Sequence, residues 1–162
     1  MRVALAVVTL LLAAGSSRAA DPVYLDQLIE TPLATLQTQF ADLKKEGCYR
    51  IGETRYVLIS MDKKDQKPWR VVLSSAPPCK RPETGPLIDV RSRAGIELGQ
   101  TPVMVVGKIG RPDTANSAEK DMRLFGENEY FYVCRVSPEC ARHTSVFITD
   151  GVVTAIAEWY SE

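Results

Sequence analysis

The chain has 162 residues, of which 45% are hydrophobic and 25% charged, with 20 basic and 20 acidic side chains. This composition is typical of a globular protein and excludes wholesale disorder. The balanced charge provides no polybasic surface, so we expect neither nucleic acid nor an anionic membrane among the partners.

Residues 1–20 have the pattern of a secretory signal peptide. Arg2 supplies a positive charge, residues 3–14 are almost wholly apolar, and small residues surround a cleavage position after Ala19 or Ala20. About 12 apolar residues form roughly 18 Å of helix, which is shorter than a hydrocarbon core of about 30 Å. We therefore predict a periplasmic or secreted protein with no stable membrane anchor.

The four cysteines are interpreted in the light of this predicted export. An even number of cysteines in an oxidising compartment predicts two disulfides. Cys134 and Cys140 flank a turn-like stretch at residues 137–139, so we expect them to pair, which leaves Cys48 to pair with Cys79. Metal binding and redox chemistry are the alternatives, but the Cys-x-x-Cys spacing typical of both is missing.

The first half of the chain predicts helical segments followed by strands. Residues 21–30 form a short amphipathic lead-in, and Thr31-Pro32 is typical of a helix start, with a hydroxyl cap before proline. An apolar stripe at helical spacing follows and ends before Gly47. Its members are Leu33, Leu36, Phe40 and Leu43. Strands are predicted over residues 49–51, 55–61 and 69–73, with a polar connector at residues 62–67.

Four prolines at residues 76–86 exclude regular structure there, and we interpret this stretch as a joint between two halves of one domain spanning residues 21–162. After a short strand at residues 87–90, Thr101-Pro102 and Gly110 bound a predicted short helix. A strand over residues 103–106 is the alternative.

The remainder of the second half predicts mainly strands. A loop is predicted at residues 114–120, and strands at residues 122–125, 129–136, 144–149 and 152–160. Asp150-Gly151 is a strong hairpin signal between the last two strands. The whole order predicts an α+β fold, with an antiparallel sheet built from two helix-plus-strands halves and helices packed on one face.

One stretch resembles a recurring opening in small exported domains. Gly95-Ile96-Glu97-Leu98-Gly99, the cap at Thr101 and Gly110-Arg111-Pro112 resemble the pattern of SmpA/OmlA-like assembly lipoproteins and of beta-lactamase-inhibitor-protein-like domains. The final predicted hairpin is also similar, so the resemblance covers roughly residues 95–160. Such domains bind proteins as assembly accessories or enzyme inhibitors, which implies a binding role here. The lipidated cysteine of the lipoproteins is missing, and no catalytic residue is carried over.

No motif for catalysis, a metal or another cofactor is found in the sequence. His143 is the single histidine, and we interpret it as a surface residue rather than a general base. No nucleophile elbow or phosphate-binding loop is present. Glu127 and Glu129 are spaced to share a strand face, a pattern that is also common on solvated edges.

Aromatic side chains near the carboxyl end are the candidate binding residues. Tyr130 and Tyr132 share one face of a predicted strand, and Phe131 points the other way. Alternation places Val153, Ala155, Ala157 and Trp159 on one face of the last strand, and Tyr160 on the other face. We select Tyr130, Tyr132, Trp159 and Tyr160 as binding candidates, with core packing as the alternative. Trp69 favours the core more strongly.

These observations predict an exported protein-binding module of the cell envelope. An inhibitor or immunity-type protein and an envelope assembly accessory are two versions of this hypothesis. A small envelope hydrolase using Asp and Glu is the alternative from another class, and it predicts a cleft with two carboxylates of perturbed pKa. A carrier of a small apolar ligand is a third hypothesis, and it predicts an apolar cavity.

Overall fold

The computed structural model describes residues 21–133 and 142–160. Strands hold 41% of these residues and helices 14%. In chain order the elements are β1 (Val23–Tyr24), α1 (Leu25–Glu30), α2 (Leu33–Leu36), β2 (Glu46–Gly52), β3 (Arg55–Met61), β4 (Pro68–Ser74), β5 (Glu83–Thr84), β6 (Val90–Arg91), α3 (Pro102–Ile109), β7 (Thr114–Ser117), β8 (Asn128–Val133), β9 (Arg142–Thr149) and β10 (Val152–Tyr160).

Eight strands form one sheet in the order β5-β2-β3-β4-β10-β9-β8-β7. The strands before the proline-rich joint and those after it meet where β4 pairs antiparallel with β10. The prediction of a purely antiparallel sheet is wrong, because β5 pairs parallel with β2 and β1 pairs parallel with β6. Three of these four strands have only two residues, too short for a sequence period to reveal. The fold is therefore largely β and only loosely α+β.

The predicted helix that starts at Thr31-Pro32 is much shorter in the structure. Only Leu33–Leu36 is helical, and Pro32 rather than Thr31 precedes it. Thr31 instead ends α1, and Asp42 has a positive φ of 59° that no continuous helix accommodates. The apolar stripe was nevertheless identified correctly, because Leu36, Phe40 and Leu43 are all fully buried.

The structure confirms some of the other predicted elements and corrects two of them. The strands over 55–61 and 152–160 and the helix between Thr101 and Gly110 are observed as predicted. Residues 114–117 form the edge strand β7 rather than a loop, and because all four residues are exposed, no alternation of apolar and polar residues indicates the strand. Residues 122–125 are turns rather than a strand, because the amides of Met122 and Phe125 donate to carbonyls three residues earlier, at Glu119 and Met122.

The sheet has two faces of different construction. The helix face is the one covered by α1, α2 and α3, and its buried residues form the larger hydrophobic cluster. From the strands this cluster takes Val57, Ile59, Val71, Leu73, Val146 and Ile156, and from the helices and following turns Leu25, Leu28, Ile29, Leu36, Phe40 and Val105. Each such side chain contributes about 1.5–3 kcal/mol to folding.

The opposite face, which we call the loop face, carries Leu58, Val72, Phe147, Ala155 and Ala157. Residues 118–126, the crossing loop, connect β7 to β8 and fold over part of this face. The loop buries Ala118 and Phe125 there, and Met122 packs beside them. No helix residue belongs to this smaller cluster within the described parts of the chain.

One predicted disulfide is confirmed, since Cys48 in β2 is bonded to Cys79 in the proline-rich joint. The predicted Cys134–Cys140 pair and the predicted signal peptide lie outside the described residues. Among the helices that the structure describes, none is long and apolar enough to cross a bilayer.

Candidate functional site

An aromatic and basic strip lies at the end of the loop face that the crossing loop leaves partly open. Cross-strand register places Arg70 of β4 opposite Trp159 of β10, and Trp159 opposite His143 of β9. Phe131 of β8 and Trp69, next to Arg70, complete the set. We define the aromatic strip as Trp69, Arg70, Phe131, His143 and Trp159.

The three rings at one end of the strip pack against one another. The ring centres of Phe131 and His143 are 5.1 Å apart and stacked, and both rings contact Trp159 at 5.7 and 5.0 Å respectively. All three side chains are only partly buried. Aromatic pairs at these distances add about 0.5–1.5 kcal/mol beyond burial, which holds the rings in a fixed arrangement.

A hydrogen-bond relay fixes the indole of Trp159 from below. Its Nε1–H donates to Ser145 Oγ over 3.0 Å, and the Ser145 hydroxyl donates to Glu129 Oε1 over 2.5 Å. Ser145 is fully buried. The relay orders the ring before any partner arrives, which reduces the entropy that binding would cost.

His143 and Arg70 bring polar groups to the strip. His143 Nδ1 is buried without a hydrogen-bond partner among the described residues. The guanidinium of Arg70 lies 4.6 Å from the ring centre of Trp69 and 5.7 Å from that of Phe125, so two rings flank the cation. Trp69 is 36% exposed, which contradicts its assignment to the core.

The four binding candidates from the sequence do not form one surface. Trp159 lies in the strip, but Tyr130, Tyr132 and Tyr160 pack against the helix-face cluster. The Tyr132 hydroxyl donates to Gly110 O over 3.3 Å, and that of Tyr160 donates to Glu30. The hydroxyls of Tyr132 and Tyr160 are therefore bonded within the fold, and the binding role of all three tyrosines stays a prediction.

Sequence reasoning missed Arg70 and left His143 and Phe131 outside the binding set. Alternation along each strand assigns Phe131 to the face opposite Tyr130 and Tyr132. The register that aligns β4, β9 and β10 brings the strip together, and a single sequence does not contain it. The predicted face of β10 is also wrong at Val153, which belongs to the helix-face cluster because a register shift separates it from Ala155.

Carboxylates provide little support for a hydrolase. Glu127 precedes β8 instead of sharing a strand face with Glu129, which is held by Ser145. Burial raises the pKa of Glu158 to about 7, although the Thr144 hydroxyl and Arg142 oppose this shift. Glu158 is only 8% exposed and lines none of the three cavities described below.

Three of the surface cavities, lined entirely by described residues, have volumes of about 550, 390 and 350 Å³ and linings of both polar and apolar groups. The first includes Arg55, Asp89 and Arg91, which form ion pairs across it. The second lies beside Trp69 and contains Asp62 and Asp65. Charged side chains line the first two cavities, and side-chain amides and a hydroxyl line the third, whereas a site for an apolar ligand is lined predominantly by hydrophobic groups. Within residues 21–133 and 142–160, no three His, Cys, Asp or Glu side chains are grouped to hold a metal ion.

Comparison of the chain with protein families, with curated proteins and with solved structures finds no match.

Proposed function

We propose that the chain is an exported protein-binding module and that its aromatic strip is the contact surface for a protein of the cell envelope. The observation that carries the proposal is the partly exposed cluster of Trp159, His143 and Phe131 on a rigid sheet. Tryptophan and arginine are enriched among the residues that contribute most to binding energy at protein interfaces.

The form of the surface favours a macromolecule over a small ligand. The strip crosses four adjacent strands, β4, β10, β9 and β8, which are about 4.8 Å apart, so its side chains lie along a shallow face rather than in a deep pocket. Small ligands are usually enclosed in apolar clefts. The resemblance to inhibitor and assembly domains supports the same role, as an inhibitor or immunity-type protein or as an assembly accessory.

The Cys48–Cys79 disulfide supports export, because such bonds persist in oxidising compartments. With the signal-peptide pattern of residues 1–20, it favours a periplasmic or secreted location and an envelope partner.

The proposal is tested by capture from envelope extract with the purified, exported protein as bait. We expect a partner that the wild type and Val103→Ser retain and that Trp159→Ala loses. Val103 is a suitable control because it is 81% exposed on α3. Recovery of no partner, together with turnover of a cell-wall substrate that one Asp or Glu substitution abolishes, would favour the hydrolase instead.

A further inference from the structure

Arg70 differs from the other arginines that are partly buried among the described residues, Arg55 and Arg142. Arg55 and Arg91 form ion pairs with Asp89, and Arg93 forms one with Asp26. Arg142 lies 3.7 Å from Glu158. Arg70 is also partly buried, yet no carboxylate lies within ion-pair distance of it among the described residues.

The hydrogen bonds that Arg70 makes are weak ones for a cation. Its Nη1 approaches Met122 Sδ at 3.5 Å, its Nη2 approaches Ser60 Oγ at 3.4 Å, and its buried Nε has no partner. The Ser60 hydroxyl donates to Glu46 Oε2 over 3.1 Å, so the hydrogen-bonded link between Glu46 and Arg70 runs through Ser60. A guanidinium has five N–H donors, and most of these remain without a strong acceptor.

Burial lowers the pKa of Arg70, while Glu46 and Asp121 are near enough to raise it in part. Arginine nevertheless stays protonated in proteins, so the site holds a desolvated positive charge. Such a charge costs free energy unless a counter-charge is supplied. A guanidinium that lies between two rings near the surface, without an ion-pair partner, can bind an anionic group from another molecule.

We propose that Arg70 binds an acidic side chain of the partner protein, with Trp69 packing against the apolar part of the same partner segment. A carboxylate matches the planar, forked donors of a guanidinium. The flanking rings limit the contact of the cation with water, and this strengthens its attraction for a carboxylate. This inference rests on the proposed function, because it names the chemistry of the partner at the same surface.

The two tryptophans of the chain, Trp69 and Trp159, both lie in the strip, so their indole N–H signals report on it without interference. The probes are two acetylated, amidated tripeptides, alanine-glutamate-alanine and its glutamine counterpart, titrated at low salt. We expect a saturable shift of the Trp69 signal with the glutamate peptide and none with the glutamine peptide.

Variants assign the effect to one residue. Arg70→Met keeps the apolar stem, and we expect it to lose the shift, whereas Arg70→Lys keeps the charge and weakens binding severalfold. Arg50→Met removes an exposed charge from β2 and serves as the control that binds like the wild type. If Arg70→Met does not fold, the comparison of Arg70→Lys with the wild type decides the matter.

Several results would overturn the inference. These are equal shifts with both peptides, no saturable shift in the wild type at the highest soluble concentration, unchanged binding by the Arg70 variants, or a preference for inorganic phosphate over the glutamate peptide. The peptide titration needs no partner, so it fails independently of the proposed function. Capture that depends on Trp159 but not on Arg70 would overturn this inference alone.

Discussion

The two faces of the sheet use aromatic side chains in opposite ways. On the helix face, Tyr49 and Tyr132 are buried and their hydroxyls donate to backbone carbonyls of Ala41 and Gly110. On the loop face, Phe131, His143 and Trp159 pack on one another while still reaching solvent. Residue type alone therefore does not separate core from contact surface. An aromatic side chain belongs to the core where helices cover the sheet, and it reaches solvent where they do not.

The comparison predicts that helix-face truncations destabilise the protein most. Ile156→Ala removes a fully buried side chain from the larger cluster and should lower the free energy of unfolding by about 2–5 kcal/mol. Phe131→Ala removes a partly exposed ring, so we expect less than half of that loss. Urea unfolding followed by circular dichroism measures both. An equal or larger loss for Phe131→Ala would erase the distinction between the faces.

Removal of the Cys48–Cys79 disulfide should have the next largest effect. The two cysteines are separated by 31 positions in the sequence. For a loop of this length, the chain-entropy model gives an upper limit of about 3.7 kcal/mol for the stabilisation of the folded state. We expect the double alanine variant to lose about 2–3.5 kcal/mol in urea unfolding, with the Trp69 indole signal unchanged. Mass mapping under non-reducing conditions that joins Cys48 to Cys134 or Cys140 would contradict the observed pairing.

The buried carboxyl of Glu158 on the helix face should make stability depend on pH. Its pKa is about 7 in the fold, above the ordinary value of 4.5, so the folded state holds the proton more tightly. Stability is therefore greatest below about pH 4.5 for this group and is lost as the pH rises through about 7, by up to about 3 kcal/mol.

Glu158→Gln resembles the protonated acid and tests this linkage. We expect the variant to match the wild type in urea unfolding at pH 5 and to exceed it at pH 8. A variant that is less stable than the wild type at pH 8 would show that the carboxylate is stabilising, in conflict with the raised pKa.

The close packing of the crossing loop on the loop face can be tested at Gly126. A Cβ at Gly126 would lie 2.9 Å from the backbone nitrogen of Ile148 and from the Cβ of Phe147, so Gly126→Ala should lift the loop at a cost of about 1–3 kcal/mol. Gly107→Ala is the matched control, because nothing lies near that position on α3 and alanine favours a helix. If both variants had the same stability, the close packing of the loop would be refuted.

Much of the fold was accessible to sequence reasoning, for physical reasons that vary with the element. The strands over 55–61 and 152–160 and the Asp150-Gly151 hairpin have local signals, and both turn residues show the expected positive φ. Strand β7 is polar and exposed, and β5 and β6 are two-residue pairings, so none carries a local pattern. Their existence depends on the neighbouring strands.

The candidate site was only partly predictable. Trp159 was identified from its residue type and strand position. Arg70 and His143 become binding candidates only when β4, β10 and β9 are aligned. The alignment places Arg70 beside Trp159, which is more than 70 positions away in the sequence. Residue type also favours the three tyrosines, but these lie on the helix face. There they pack against the larger hydrophobic cluster, and Tyr160 donates to Glu30 of α1.

Affinity measurements distinguish a partner bound to the loop face from one bound to the helix face. The dissociation constant of the captured partner is measured by calorimetry for the wild type, Trp159→Ala and Tyr130→Ala. We predict that Trp159→Ala weakens binding by about thirtyfold or more, since a hot-spot residue contributes at least about 2 kcal/mol, while Tyr130→Ala binds like the wild type. Weakening by Tyr130→Ala with no effect of Trp159→Ala would contradict the account.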